Sequence, residues 1–373
     1  MTLHVFNPEH DIALASGLSN FTAPHAGRQL RRDLGYLPAL WAHEGDRILV
    51  DDVELARQRY QQLRRALCRY LPAQSLPVGN PEFAAFKQAA CSLQTGSLQP
   101  ANFGIDPWGW DAALCAVLRR GGVPDSLLPT VSQLADIRQL SHRRVAARLL
   151  PMLRTEGTVG EAYECTAADE VEGLLSRYGR LVLKAPWSSS GRGLRFLDTN
   201  RNTLQHQAGW LKNMLQLQGS VMAEPYYNKV KDFGMEFRCR EGRVEYLGLS
   251  LFHTTNGAYS GNILATETTK RAALSRYVSL NLLDTIQADV CSHLQPILAN
   301  SYEGPFGIDM MIVAGDSHSC NPASFLLHPC VEINLRRTMG HVALSLTPAD
   351  DDLQRVMRIH YTDNNYQLKI EKL

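Results

Sequence analysis

Two short apolar runs in the last fifth of the sequence constrain the fold of this chain more than any other feature. Residues 307–313 read GIDMMIV, with a single carboxylate, Asp309, set inside a stretch of strand-forming residues. Residues 330–334 read CVEIN, with Glu332 and Asn334 two positions apart. Side chains two apart on a strand point to the same face. Glu332 and Asn334 can therefore present oxygens to one site, and Asp309 on a neighbouring strand can complete it. Carboxylates inside strands this apolar are costly to bury without a cation. Oxygen donors of this kind suit Mg²⁺, which keeps phosphate oxygens among its ligands and needs few carboxylates. The plainer alternative, polar residues that merely end strands, is disfavoured by the apolar residues around them.

A second signal is LVLKAPWSSSGRGLRF, residues 181–196. An apolar strand ends in Lys184 and runs into Ser188, Ser189, Ser190, Gly191, Arg192 and Gly193. Glycines let the backbone approach a phosphate, and successive N–H groups make an anion nest. Plain turns use the same residues, and no GxxxxGK[ST] is present, so this is not a Walker loop. A third segment, VMAEPYY at 221–227, carries Glu224 from a strand into an extended stretch, and Glu236 follows in MEFRC.

The order of these pieces resembles the ATP-grasp superfamily, from Val131 to Leu346. The shared pattern is a lysine-ended strand with a Gly/Ser loop, an apolar strand ending in Glu, then Asp, then Glu-x-Asn. The resemblance implies a fold of α/β plus α+β character. An N-terminal α/β, pre-ATP-grasp-like domain (1–130) would precede two ATP-grasp subdomains, one with the phosphate loop (131–222) and one with the metal site (223–373).

It also implies roles. Lys184 contacts the α- and β-phosphates, and residues 188–193 form the mobile phosphate cover. Glu224, Pro225 and Tyr226 form the hinge that reads the adenine edge, and Glu236 holds the ribose. Asp309, Glu332 and Asn334 hold two Mg²⁺ ions, and Arg336 sits by the γ-phosphate and the acyl phosphate. The family usually has another lysine before the first helix of the nucleotide half. Here that stretch offers Arg143 and Arg144, and Arg144 is assigned the role.

The implied activity is that of an ATP-dependent ligase, carbon–nitrogen bond forming, in which a carboxylate is activated as an acyl phosphate for attack by an amine. A phosphotransferase or a non-catalytic nucleotide-binding module are the alternatives. Partners would be small carboxylate and amine substrates, and the family allows a homodimer. HTTNGAYSGN at 253–262 is read as a loop lining the acceptor pocket, and His10 and Asp11 of NPEHD as reaching the cleft from beyond the first strand.

Composition narrows the rest. Lys plus Arg is 38 and Asp plus Glu 37, so there is no net field to attract a nucleic acid. The residues at the start show no basic region followed by an apolar run, and no stretch approaches a membrane span, so no membrane partner and a cytoplasmic location are expected. The eight cysteines are scattered without a CxxC pair, as expected of reduced thiols. His318, Cys320, His328 and Cys330 offer zinc-ligand chemistry without a zinc spacing, and no zinc is expected.

Periodicity gives a strand at 3–6, helices at 53–71 and 111–120, and one or two helices from 131. Strands follow at 181–184, 221–224, 236–240 and 244–251, then a long helix at 274–299 and two final strands at 307–313 and 330–334.

Overall fold

The computed structural model describes residues 1–71, 81–85, 103–188, 193–255, 258–315 and 325–373. The amino-terminal region is a parallel sheet built from β1 (Thr2–Val5), β2 (Arg47–Val50), β3 (Glu82–Ala85) and β4 (Gly104–Pro107), in the order β3-β2-β1-β4. Helices α1 (His10–Ser16), α2 (His25–Leu34), α3 (Val53–Leu67) and α4 (Ala112–Arg120) accompany it. In β1 and β2, three consecutive residues are buried, as in parallel strands covered on both faces. Asp52 and Asp111 start α3 and α4 by accepting the N–H of Leu55 and Leu114.

An antiparallel sheet in the order β5-β8-β6-β7 comes next, from β5 (Tyr163–Cys165), β6 (Arg180–Lys184), β7 (Leu194–Asp198) and β8 (Val221–Pro225). The preceding helices, α5 (Val131–Leu140) and α6 (Arg144–Leu149), do not join its core. Ile137, Ala146, Leu149 and Leu150 pack instead with Phe233, Phe237 and Phe306 of the following sheet. The hydrophobic cores therefore divide after α6, later in the chain than residue 131. Helices α7 (Ala168–Tyr178) and α8 (Leu204–Gln218) cover the β5–β8 sheet.

The third sheet, β10-β9-β13-β14, is formed by β9 (Lys229–Arg240), β10 (Arg243–Ser250), β13 (Gly304–Ala314) and β14 (Phe325–Asn334). The long helix expected at 274–299 starts a few residues later, as α10 (Leu280–Leu298), after a separate helix α9 (Glu267–Leu274). Ser279 accepts the N–H of Leu282 and begins α10 afresh. The described residues of 253–262 belong to two paired antiparallel strands rather than a loop, β11 (Phe252–Thr255) and β12 (Ala258–Leu264); their Thr, Ser and Gly lack the apolar alternation that marks a strand.

The chain does not end on β14. Helix α11 (Met339–Leu344) and the hairpin of β15 (Arg355–Thr362) and β16 (Asn365–Lys372) follow, giving a fourth sheet, β11-β12-β15-β16. Met357, Leu368 and Ile370 of this hairpin share a core with Leu34, Leu63 and Leu67 of α2 and α3. Among the described residues no helix is long and apolar enough to cross a membrane, and the six described cysteines are free.

Candidate active site

The centre of the site is the β13–β14 pair. Asp309 lies directly opposite Glu332, and Gly307 opposite Asn334, so the three oxygen-bearing side chains meet on one face of the sheet. Burial, then the neighbouring Glu332 and Glu236, push the Asp309 carboxyl up to about 8, while a hydrogen bond with Asn334 acts the other way. Two carboxylates and an amide oxygen that resist sharing their charge are what a hard divalent cation relieves. The set therefore fits Mg²⁺. Among the described residues no group of three His, Cys, Asp or Glu side chains is placed to hold a metal; here the third donor is an amide.

Arginines frame this triad. Nη2 of Arg143, at the start of α6, donates to Glu332 Oε1 at 2.6 Å, and Nη1 to the Ala185 carbonyl (2.6 Å) and Ser188 Oγ (2.7 Å). A single buried guanidinium thus ties the end of β6 and the beginning of the serine loop to the acidic strand. Arg144, expected in that role, is turned away and pairs with Glu164 Oε1 at 3.2 Å. Adjacent residues at a helix start diverge by roughly 100°, so only one of the two can face the cleft. Ser189, Ser190, Gly191 and Arg192 lie outside the described residues, as do His318 and Cys320. At Gly193 an added Cβ would overlap the Ser188 side chain, so this close approach requires glycine there.

Lys184, at the end of β6, is buried and its Nζ lies 2.6 Å from Glu224 Oε2 on β8. These two charges and the Asp309–Glu332 pair all act on the buried thiol of Cys330. At the expected hinge, Pro225 has no N–H and that of Tyr226 is donated to the Arg180 carbonyl at 3.1 Å. The Tyr226 ring is exposed and carries the Arg180 guanidinium 4.4 Å from its centroid.

The ribose assignment of Glu236 does not hold. It lies seven positions beyond Lys229 at the start of β9, roughly 23 Å of strand. Its carboxylate is only 4 % exposed, accepting from Thr338 Oγ1 at 2.8 Å and facing His341 Nδ1 at 2.9 Å. An added Cβ at Gly340 would collide with it. Glu236 anchors the turn into α11. The acid on the same strand face nearer the hinge is Asp232, held by Lys229 Nζ and Thr254 Oγ1, both at 2.6 Å.

Arg336 is oriented from the amino-terminal domain. It donates from Nε and Nη2 to the Asp11 carboxylate at 2.8–3.1 Å, and from Nη2 to Asn334 Oδ1 at 2.8 Å. The ion pair holds the Asp11 carboxyl below its ordinary range despite burial. The next residue repeats the arrangement. Arg337 donates to both oxygens of Asp106 (3.1 and 2.9 Å), whose carboxylate also meets His4 Nδ1 at 2.9 Å and Trp41 Nε1 at 3.1 Å. His10, by contrast, points inward to Asp111 at 3.4 Å. Sequence reasoning singled out Asp11 but missed Asp106 and His4, which leave no motif.

A parallel α/β domain followed by two antiparallel sheets, the acidic strand pair of the second tied through Arg143 to the end of β6, is the ATP-grasp fold, and this chain has that fold. Among solved structures, it is similar to the biotin carboxylase domain of 2-oxoglutarate carboxylase from Hydrogenobacter thermophilus, in complex with MgADP, ADP and bicarbonate. The two share 12 % identity over 97 % of this chain and 75 % of that one, with a TM-score of 0.53. N5-carboxyaminoimidazole synthetase from Staphylococcus aureus, complexed with ADP, matches at 13 % identity over 97 % and 83 %, with a TM-score of 0.47. N5-carboxyaminoimidazole ribonucleotide synthetase from Thermus thermophilus matches at 14 % over 96 % and 83 %, also at 0.47. No family model matches the chain, and no curated protein matches its sequence.

Proposed function

We propose that this protein is an ATP-dependent ligase that activates a substrate carboxylate as an acyl phosphate, which an amine then attacks. The observation that supports this reading best is the convergence of Asp309, Glu332 and Asn334 beside two buried cations, Lys184 and Arg143. The biotin carboxylase domain with which it shares the fold was solved with a nucleotide and magnesium.

In this reading Asp309, Glu332 and Asn334 hold Mg²⁺, which neutralises charge on the triphosphate when bound. Lys184 contacts the α- and β-phosphates. Arg143 takes the place of the family lysine, holding Ser188 and the loop behind it against the phosphates. Asp232, close to the hinge, accepts from the ribose. Arg336 lies two residues beyond Asn334, with its planar donors fixed by Asp11, and stabilises the charge that grows as the carboxylate oxygen attacks the γ-phosphorus. ADP leaves, the acyl phosphate remains in the cleft, and the amine displaces inorganic phosphate. No side-chain nucleophile takes part. The thiol of Cys330 is held protonated by burial and by nearby carboxylates.

The test is a screen of the purified protein with Mg-ATP against small acids, with hydroxylamine as the trapping amine. Hydroxamate together with free phosphate supports the ligase. A stable phosphorylated acid without free phosphate redirects the reading to a phosphotransferase. Glu332→Gln abolishes turnover with the fold intact; near-normal turnover in that variant removes the metal assignment.

A further inference from the structure

We propose that the amino-terminal domain carries a second binding site, outside the nucleotide cleft. It takes a small zwitterion of amino-acid type, the amine on Glu9 and the anionic group at Arg28.

The site is a cavity of about 190 Å³ whose lining includes Val5, Asn7, Glu9, Phe21, Arg28 and Val117. It stands beyond the carboxyl end of β1. From β1 the chain proceeds to β2 on one side, while β4 pairs on the other, so the strand order reverses between β1 and β4. In open parallel sheets the crevice at such a reversal is where ligands bind. The volume is below the roughly 300 Å³ at which pockets for larger organic ligands begin, so one small molecule fits and a nucleotide does not.

The polar lining shows which chemistry is missing. Asn7 is satisfied, donating to the Gly109 carbonyl (2.8 Å) and to Asp111 (3.1 Å) and accepting from the Gly109 N–H (3.3 Å). Asp111 is satisfied by Asn7 and by the Leu114 N–H at 2.8 Å. Arg31 is occupied by Glu9 Oε1 at 2.6 Å and Asp51 at 3.1 Å. One atom remains: Glu9 Oε2, on a side chain that is 9 % exposed, is buried with no hydrogen-bond partner.

A buried carboxylate oxygen without a donor is an uncompensated cost that native structures rarely tolerate. Burial raises the Glu9 carboxyl even with Arg31 beside it. An ammonium group in the cavity supplies the missing donor. Arg28, exposed and tethered through one bond to the Ala23 carbonyl (2.9 Å), offers a guanidinium for the opposite end of the same molecule. Phe21, Leu114 and Val117 provide an apolar wall for its carbon skeleton. Asp11, two residues from Glu9, is committed to Arg336, so the segment faces the cleft with one acid and this cavity with the other.

The inference does not rest on the ligase reading, and the experiment keeps the two apart. Calorimetric titration of the full chain without nucleotide uses glycine, L-alanine and β-alanine, with ethylamine and propionate as half-molecules. At least one zwitterion is expected to bind more tightly than either half. Glu9→Gln weakens it at least ten-fold (about 1.4 kcal/mol). Ala113→Leu, which fills the cavity and removes no polar group, abolishes binding while circular dichroism is unchanged. Lys184→Ala, in the cleft, leaves binding intact. Failure of every zwitterion to bind at millimolar concentration overturns the proposal, as does wild-type binding in Ala113→Leu or loss of binding in Lys184→Ala.

Discussion

Arg336 and Asp11 stand 325 residues apart in sequence and face each other across the domain boundary through a forked pair of hydrogen bonds. Arginine placed next to reacting phosphate is effective only if its plane is fixed in advance, and here the fixing group belongs to the amino-terminal domain. Asp11→Asn keeps one hydrogen bond and loses the charge. We expect phosphate release to fall at least ten-fold while the nucleotide dissociation constant changes little. Asp11→Ala, which leaves a largely buried guanidinium unpaired, should also lose about 2 to 4 kcal/mol of stability in denaturant titration. Equal loss of ATP binding and turnover in Asp11→Asn would show that the pair only holds the domains together.

Lys184 is the cation of a buried pair with Glu224. Lys184→Ala should weaken ATP binding by ten-fold or more, measured by fluorescent-nucleotide displacement, with a smaller effect on the turnover of bound nucleotide. Unchanged nucleotide affinity counts against the phosphate role.

Arg143 and Arg144 make a paired comparison with an internal control. Arg143→Ala removes the bond to Glu332 together with those to Ala185 and Ser188. It should reduce kcat/KM at least a hundred-fold, about 3 kcal/mol of lost transition-state stabilisation. Arg144→Ala removes a half-exposed pair with Glu164 and should stay within about three-fold, since such pairs contribute about 1 kcal/mol at most.

His328 gives the stability a pH dependence. Its ring is 0 % exposed, neither nitrogen has a partner, and burial followed by Lys184 pushes its pKa down to about 3. The unfolded chain takes up a proton there near pH 6.5 and the folded one does not. Between about pH 6.5 and 3 the unfolded state therefore binds more protons, and folding stability drops as the pH falls. The loss reaches a few kcal/mol at the acid end. His328→Leu should flatten the slope of unfolding free energy between pH 6.5 and 4.5. A slope equal to wild type would mean that the ring titrates normally.

The strand arithmetic of Asp309, Glu332 and Asn334 was readable because a period of two survives any uncertainty about where a strand begins. Lys184 was readable for a similar reason, as the last residue of an apolar run. Arg143 and Arg144 were not separable, because the facing of a helix start depends on how its axis is docked. Glu236 misled because MEFRC looks like a short strand of its own; β9 begins at Lys229, and the extra length carries the residue away from the hinge. Asp106, His4 and Trp41 gather around Arg337 through tertiary packing alone. Helix α11 and the β15–β16 hairpin escaped because their apolar residues are few and complete a core made mostly by the amino-terminal domain.

That shared core bears on how the protein is made. Leu34, Leu63 and Leu67 leave the ribosome early, yet the side chains that cover them, Met357, Leu368 and Ile370, emerge far later in synthesis. Until then an apolar surface on the first domain is bare, and the contact that closes it joins distant parts of the polypeptide. Such long-range closure is slow and exposes nascent chains to aggregation. A stalled or truncated translation product lacking the hairpin would be a natural client for a chaperone that binds exposed apolar helices.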